Sequence, residues 1–263
     1  MNIDPIGDKA CEIIVKVGEF IRRESAKIGQ IVIEEKDLNS LVSYVDKEAE
    51  KQLVEGLDKL LPGCGFLTEE ETEDTEGDGY QWIIDPLDGT TNFLYGIPTY
   101  SVSVALRQAD ELVIGIIYEI NRDELFYAVK GKGAYLNNKA IQVSQRDSLA
   151  KSLLATGFPY YDFSNMQGYL KALQYFIAHT RGIRRIGSAA VDMAYVACGR
   201  FDGFFEYSLN PWDVAAGCVL ITEAGGQLSD FSGGNNYLFG KELVATNTLI
   251  YDELMVVVDE NFK

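Results

Sequence analysis

The chain has 263 residues, 47% of them hydrophobic, enough to build a large core in one unit or two modest ones. Its 23 basic and 40 acidic side chains give a net charge of −17, which repels nucleic acid and anionic membrane surfaces and requires cations to intervene wherever a phosphate is handled. Cys11, Cys64, Cys198 and Cys218 form no Cys-x-x-Cys pair or dense framework, and Met1-Asn2-Ile3-Asp4-Pro5 has no apolar signal core, so reduced thiols and a cytoplasmic location are expected.

Residues 5–25 carry Ile6, Ala10, Ile13, Ile14, Val17, Phe20 and Ile21 at helical spacing, which predicts an amphipathic first helix. A second helix is predicted over 46–61, stopped by Pro62-Gly63. Residues 65–68 form a short strand candidate that runs into Glu69-Glu70-Glu71 and a polar loop ending at Gly79. Most of that acidic run reads as a solvated loop, with its first residues set apart because they stand at a strand end.

Strands follow at 80–84, 100–106, 112–120 and 125–129, with Asn137-Asn138 as a turn and Gly131 and Gly133 in a hairpin, so the middle of the chain reads as an antiparallel meander. The uncharged stretch after Gly89 is too polar and broken to span a bilayer. Beyond Ser148 the pattern becomes a strand at 153–155, helices at 166–178 and 189–198, a strand at 203–207, a helix at 214–224, a strand at 243–245 and a last helix. That alternation predicts an α/β half. The expected organisation is an α+β half, 1–147, and an α/β half, 148–263, with no linker between them and a crevice where they meet.

Two motifs stand out against this frame: Trp82-Ile83-Ile84-Asp85-Pro86-Leu87-Asp88-Gly89-Thr90-Thr91-Asn92-Phe93 and Trp212-Asp213-Val214-Ala215-Ala216-Gly217. Taken singly, the first reads equally as a turn with a helix cap and the second as a helix cap. Taken together with Glu69, they bring four acids and the Leu87 carbonyl from three segments, hard oxygen ligands that suit Mg²⁺. Two ions roughly 3.5–4 Å apart would stabilise the attacking and leaving oxygens of a phosphoryl transfer. The spacing does not match an EF-hand, and no Walker loop is present. His179 is the only histidine, which excludes histidine-based triads and leaves attack by a metal-activated water.

In order and spacing these motifs resemble the signatures of the inositol monophosphatase family of magnesium-dependent, lithium-sensitive phosphatases, over essentially the whole chain. The resemblance implies a layered α-β-α-β-α sandwich of the sugar phosphatase type and a homodimer. It implies that Glu69, Asp85 and the Leu87 carbonyl hold one Mg²⁺, that Asp85, Asp88 and Asp213 hold a second, and that a third, weaker ion shares Glu69. It further casts Thr90, supported by Asp46, as the hydroxyl that orients the water. Gly89 and Thr90 would meet the phosphate through backbone N–H groups. Gly187-Ser188-Ala189-Ala190 resembles the substrate loop, and Glu206 the acid that reads substrate hydroxyls beside Asp213; a strand-end charge is the structural alternative for Glu206.

Lys36 corresponds to a flap lysine in surroundings that match poorly. Thr68 stands where the family often has glycine, and the loop before Tyr80 is short, which bears on the third ion. Thr91 favours the inositol monophosphatases over the bisphosphate nucleotidases, which usually carry lysine there, and over the histidinol phosphatases, which carry arginine. The implied substrate is a small polyol phosphate, with inositol 1-phosphate leading and adenosine 3′,5′-bisphosphate or fructose 1,6-bisphosphate as alternatives. A metal-binding scaffold without activity is the non-enzymatic alternative.

Overall fold

The computed structural model describes residues 3–30, 34–37, 40–71, 73–159 and 162–262. Helix α1 (Asp4–Ser25), the hairpin β1 (Glu34–Asp37) and β2 (Ser40–Val42), and helix α2 (Tyr44–Leu60) open the chain. They are followed by β3 (Gly65–Thr68), β4 (Tyr80–Asp88), the one-turn helix α3 (Thr90–Leu94), β5 (Ser101–Gln108), β6 (Glu111–Glu119), β7 (Glu124–Val129), β8 (Ala134–Leu136) and β9 (Lys139–Ile141). The remainder comprises β10 (Leu153–Thr156), α4 (Met166–His179), β11 (Gly182–Arg184), α5 (Ala189–Ala197) and β12 (Gly203–Tyr207), then α6 (Pro211–Glu223), β13 (Gln227–Ser229), β14 (Glu242–Thr246) and α7 (Tyr251–Asn261).

Strands β3 to β9 make a seven-stranded sheet in chain order, a meander in which only β3 and β4 run parallel. The second sheet has the order β11-β10-β12-β14-β13, with β10 parallel to both neighbours and β14 antiparallel to both of its own. Alternation along the strands sorts side chains onto opposite faces. Trp82, Ile84, Val102, Val104 and Ile116 of the large sheet pack with Ile14, Ile21, Leu53 and Leu57 of α1 and α2. Ile83, Ala105, Ile117 and Phe126 on its other face share a core with α5, α6 and the inward face of the small sheet, where Ala155, Phe204 and Ala245 lie. Leu154, Phe205 and Val244 face outward onto α4 and α7. The five layers therefore run α, β, α, β, α, as expected.

The small residues after Asp213 are explained by packing. Helix α6 is buried from Val214 to Ile221 in the middle layer, and at Gly115 of β6 an added Cβ would meet the Ala216 carbonyl oxygen at 2.4 Å. The helix lies close enough to the sheet that only small side chains fit between them.

Several elements escape the sequence patterns. Helix α2 begins at Tyr44 rather than Asp46, because Ser43 is its N-cap and Asp46 its third residue. Strand β4 continues to Asp88, four residues past the predicted end. The short strands β8, β9, β11 and β13 are too brief to show a period. Lys36 falls on β1, and its side chain lies outside the described residues.

Candidate functional site

Strand β4 delivers the first two acids through a bulge. Asp85 pairs with Ser103 and Asp88 with Ser101, so β4 advances three residues while β5 advances two. Residues three apart on a regular strand point to opposite faces; the extra residue restores Asp85 and Asp88 to one side. Pro86, which cannot donate to a ladder, sits inside the irregularity. The Leu87 N–H donates to Asp85 Oδ1 at 2.9 Å. Because β3 runs parallel to β4 with Thr68 opposite Ile84, Glu69 arrives beside Asp85, and its N–H donates to the Ile84 carbonyl at 3.2 Å. The buried Glu50 of α2 accepts from the Glu70 N–H at 2.8 Å and fixes that turn.

Gly89 follows with φ +93°, a left-handed conformation that glycine adopts without steric cost, and reverses the chain into α3. The Thr90 hydroxyl lies 3.0 Å from Asp46 Oδ1 and 2.9 Å from the Leu87 carbonyl oxygen. The other Asp46 oxygen accepts from the Ser43 N–H at 2.8 Å and the Ser43 hydroxyl at 2.7 Å. One carboxylate thus caps α2 and positions Thr90. Burial raises the Asp46 pKa.

The opposite wall comes from the second half of the chain. Ser188, the N-cap of α5, donates its hydroxyl to Asp88, and the Ala190 N–H donates to the same oxygen at 2.8 Å. Asp213 is the third residue of α6 and accepts from the Asn210 N–H at 2.6 Å. Glu206 is buried near the end of β12. Asn92 stitches the walls together: its amide donates to the Thr99 and Ile186 carbonyls, each at 2.8 Å.

Glu69, Asp85, Leu87, Asp88, Gly89, Thr90, Ser188, Glu206 and Asp213 line one cavity of about 120 Å³, together with Gly157, Arg185, Gly187, Ala189, Asp192, Ser208 and Asn210, while Asp46 and Asn92 support it from outside. Six carboxyls and one guanidinium face it. Burial and then the charges of Glu69, Asp88 and Asp213 push Asp85 well above the ordinary carboxylate range, with its neighbour Glu69 adding to the rise. Burial raises Asp88 to about 6 against the hydrogen bonds from Ser188, Ala190 and Ala189, and burial with the charge of Asp88 raises Asp213 to about 7. A cavity whose burial and crowded acids oppose the ionisation of its carboxyls has the chemistry of a cation site, and its all-oxygen donors fit a hard divalent ion. Among the described residues no three acids are already grouped closely enough to hold a metal ion.

Sequence reasoning missed Asn92, Gly157, Arg185 and Asp192. Asn92 belonged to the first motif, but its partners are some seven and ninety-four residues away. His179 ends α4, stacked on Tyr175, away from the cavity. The four cysteines are free thiols. Among the described residues no helix is long and apolar enough to cross a membrane.

A five-layer sandwich with an acid-lined crevice at strand and helix ends defines a class of metal-dependent phosphatases. The inositol monophosphatase family model matches residues 2–260, and the chain belongs to that family. The chain is 40% identical to the Nus factor SuhB of Pseudomonas aeruginosa, over 97% of this chain and 96% of that one. It is also 40% identical to the inositol-1-monophosphatase of Mesorhizobium japonicum, over 93% and 92%. In three dimensions it is similar to the crystal structure of extragenic suppressor protein suhB from Bartonella henselae, with a TM-score of 0.94 and 39% identity over 98% of this chain and 99% of that one.

Proposed function

We propose that the protein is a Mg²⁺-dependent phosphomonoesterase that hydrolyses a small polyol phosphate, with inositol 1-phosphate the leading substrate. The observation that carries this reading is the meeting of Glu69, Asp85, Asp88 and Asp213 around one cavity whose edge holds Thr90. Glu69, Asp85 and the Leu87 carbonyl would hold one ion and Asp85, Asp88 and Asp213 a second, with Glu69 open to a third. Bound Mg²⁺ supplies an acidified water and positive charge for the phosphoryl and leaving oxygens.

The chain's own groups orient the reaction. With one hydrogen, the Thr90 hydroxyl donates to Asp46 and keeps its lone pairs for a proton of the attacking water. Gly89 and Thr90 at the mouth of α3 offer backbone N–H groups to the phosphate. Gly187, Ser188, Ala189, Glu206 and Asp213 line the same cavity; the first three would border the substrate, and Glu206 and Asp213 would face the leaving alcohol. The family reading also supports lithium sensitivity, a cytoplasmic location and a homodimer, the last checked by light scattering.

The test is a purified-enzyme panel with inositol 1-phosphate, fructose 1,6-bisphosphate, adenosine 3′,5′-bisphosphate and histidinol phosphate under Mg²⁺. The expected order puts inositol 1-phosphate first. A nucleotide preference above about tenfold in kcat/KM, roughly 1.4 kcal/mol, would replace the inositol assignment with the nucleotidase one.

The Nus factor names of equally similar relatives favour a second reading, in which the chain serves as a Nus factor with or without phosphatase activity. Rescue by Asp213→Asn of a strain lacking its own SuhB would support that role independently of catalysis. The net charge of −17 argues that any such role works through protein contacts rather than a phosphate-backbone footprint.

A further inference from the structure

Glu206 sits in a built seat. An added Cβ at Gly157 would stand 2.0–2.1 Å from the Glu206 carboxyl atoms, so the missing side chain is the space that the carboxyl occupies. Gly157 is itself held from behind, where the Tyr169 hydroxyl donates to its carbonyl at 2.8 Å. Beside this seat lies Asp192, in the first turn of α5, 1% exposed and lining the same cavity. Its Oδ1 has no hydrogen-bond partner. Burial and then the charge of Glu206 and Asp88 raise its pKa, against the guanidinium of Arg185.

A buried acceptor without a donor is a standing cost to the fold, and native structures retain such groups chiefly where a ligand or water completes them. Asp192 does not cap its helix: the Ser188 hydroxyl accepts from the Val191 N–H, and the Asp192 N–H donates to the Ser188 carbonyl. The metal ligands assigned above do not include it. What remains for Asp192 is the leaving-group side of the cavity, next to Glu206. We propose that Asp192 is a second specificity-determining carboxyl, whose unpaired oxygen accepts a hydroxyl hydrogen of the polyol, directly or across one bridging water. Asp192 and Glu206 together then read two hydroxyls of one leaving alcohol, and an ester without hydroxyls leaves Asp192 unsatisfied. This inference rests on the polyol phosphatase reading above.

The experiment compares kcat/KM for inositol 1-phosphate with that for 4-nitrophenyl phosphate in the full-length Mg²⁺-loaded enzyme and its Asp192→Ala and Asp192→Asn variants, with Tm measured for each. Expected is a fall of about tenfold in the polyol-to-nitrophenyl ratio for Asp192→Ala, with less than about threefold change for Asp192→Asn, whose amide oxygen still accepts. The Tm of Asp192→Asn should equal or exceed that of the parent, because the buried side chain can no longer ionise and its Oδ1 held no hydrogen-bond partner. A ratio within about threefold of the parent in Asp192→Ala overturns the proposal, as does equal loss on both esters with a lowered Tm in Asp192→Asn, the signature of a structural role. Parent enzyme that hydrolyses neither ester would instead overturn the phosphatase reading itself.

Discussion

The two walls of the cavity are built by different means. The first, Asp85 to Thr90, comes from one short segment: a bulge against β5 turns two acids to one side, Gly89 reverses the chain and the Thr90 hydroxyl lies 2.9 Å from the Leu87 carbonyl oxygen three residues earlier. The second brings Ser188, Glu206 and Asp213 from α5, β12 and α6, elements whose mutual positions depend on the middle helical layer between two sheets. The assembled wall inherits every shift of the core behind it, including the close approach of α6 to Gly115.

That contrast can be tested from its strongest point downward. Asp213→Asn removes a ligand charge from the assembled wall and is expected to lower turnover by roughly three orders of magnitude, about 4 kcal/mol of transition-state stabilisation, while circular dichroism and Tm stay close to the parent. Near-parental rates would take Asp213 out of the reacting site. Thr90→Ala acts on the local wall, and kcat should fall about a hundredfold with KM little changed, the size expected for a group that orients a transferring proton. A rise in KM alone would mean that Thr90 binds substrate and does not handle the water.

Ser188→Ala tests the junction of the walls, since its hydroxyl donates to Asp88 across a hundred residues of sequence. The apparent Mg²⁺ affinity should weaken by about tenfold, as for other groups that orient a ligand from behind. An unchanged Mg²⁺ titration would show that the Ala190 N–H suffices.

A further expected effect is on stability. In metal-free protein, Asp88 near 6 and Asp213 near 7 are raised by burial above the values of an unfolded chain, so the folded state binds protons that the unfolded state releases. The stability from this pair is complete below about pH 4 and is lost as the pH climbs through about 6 and 7. Tm without metal should therefore fall from about pH 5 to about pH 8, and added Mg²⁺ should restore more at the higher pH. A flat profile would mean that the carboxyls are better solvated than their burial implies.

Local order explains which parts were legible. The meander announced itself through strands of alternating residues, and the acids of the first wall share one short motif with Thr90. The continuation of β4 to Asp88 was hidden because Pro86 and the acids look like a turn until β5 supplies the partner strand. Asn92, Gly157 and Asp192 carry no distinctive spacing; each acquires its place from a contact with a segment far along the chain or from a group left unpaired.

The amino-acid order alone determined the family, the fold class and the acids around which the site is built, because periodicity and short motifs are properties of neighbouring residues. Tertiary structure alone decided that both walls face one cavity, that the bulge aims Asp85 and Asp88 together, and that Gly157 and Asp192 surround Glu206. Those relations follow from sheet register and helix packing, which join residues a hundred positions apart and leave no local trace in the chain.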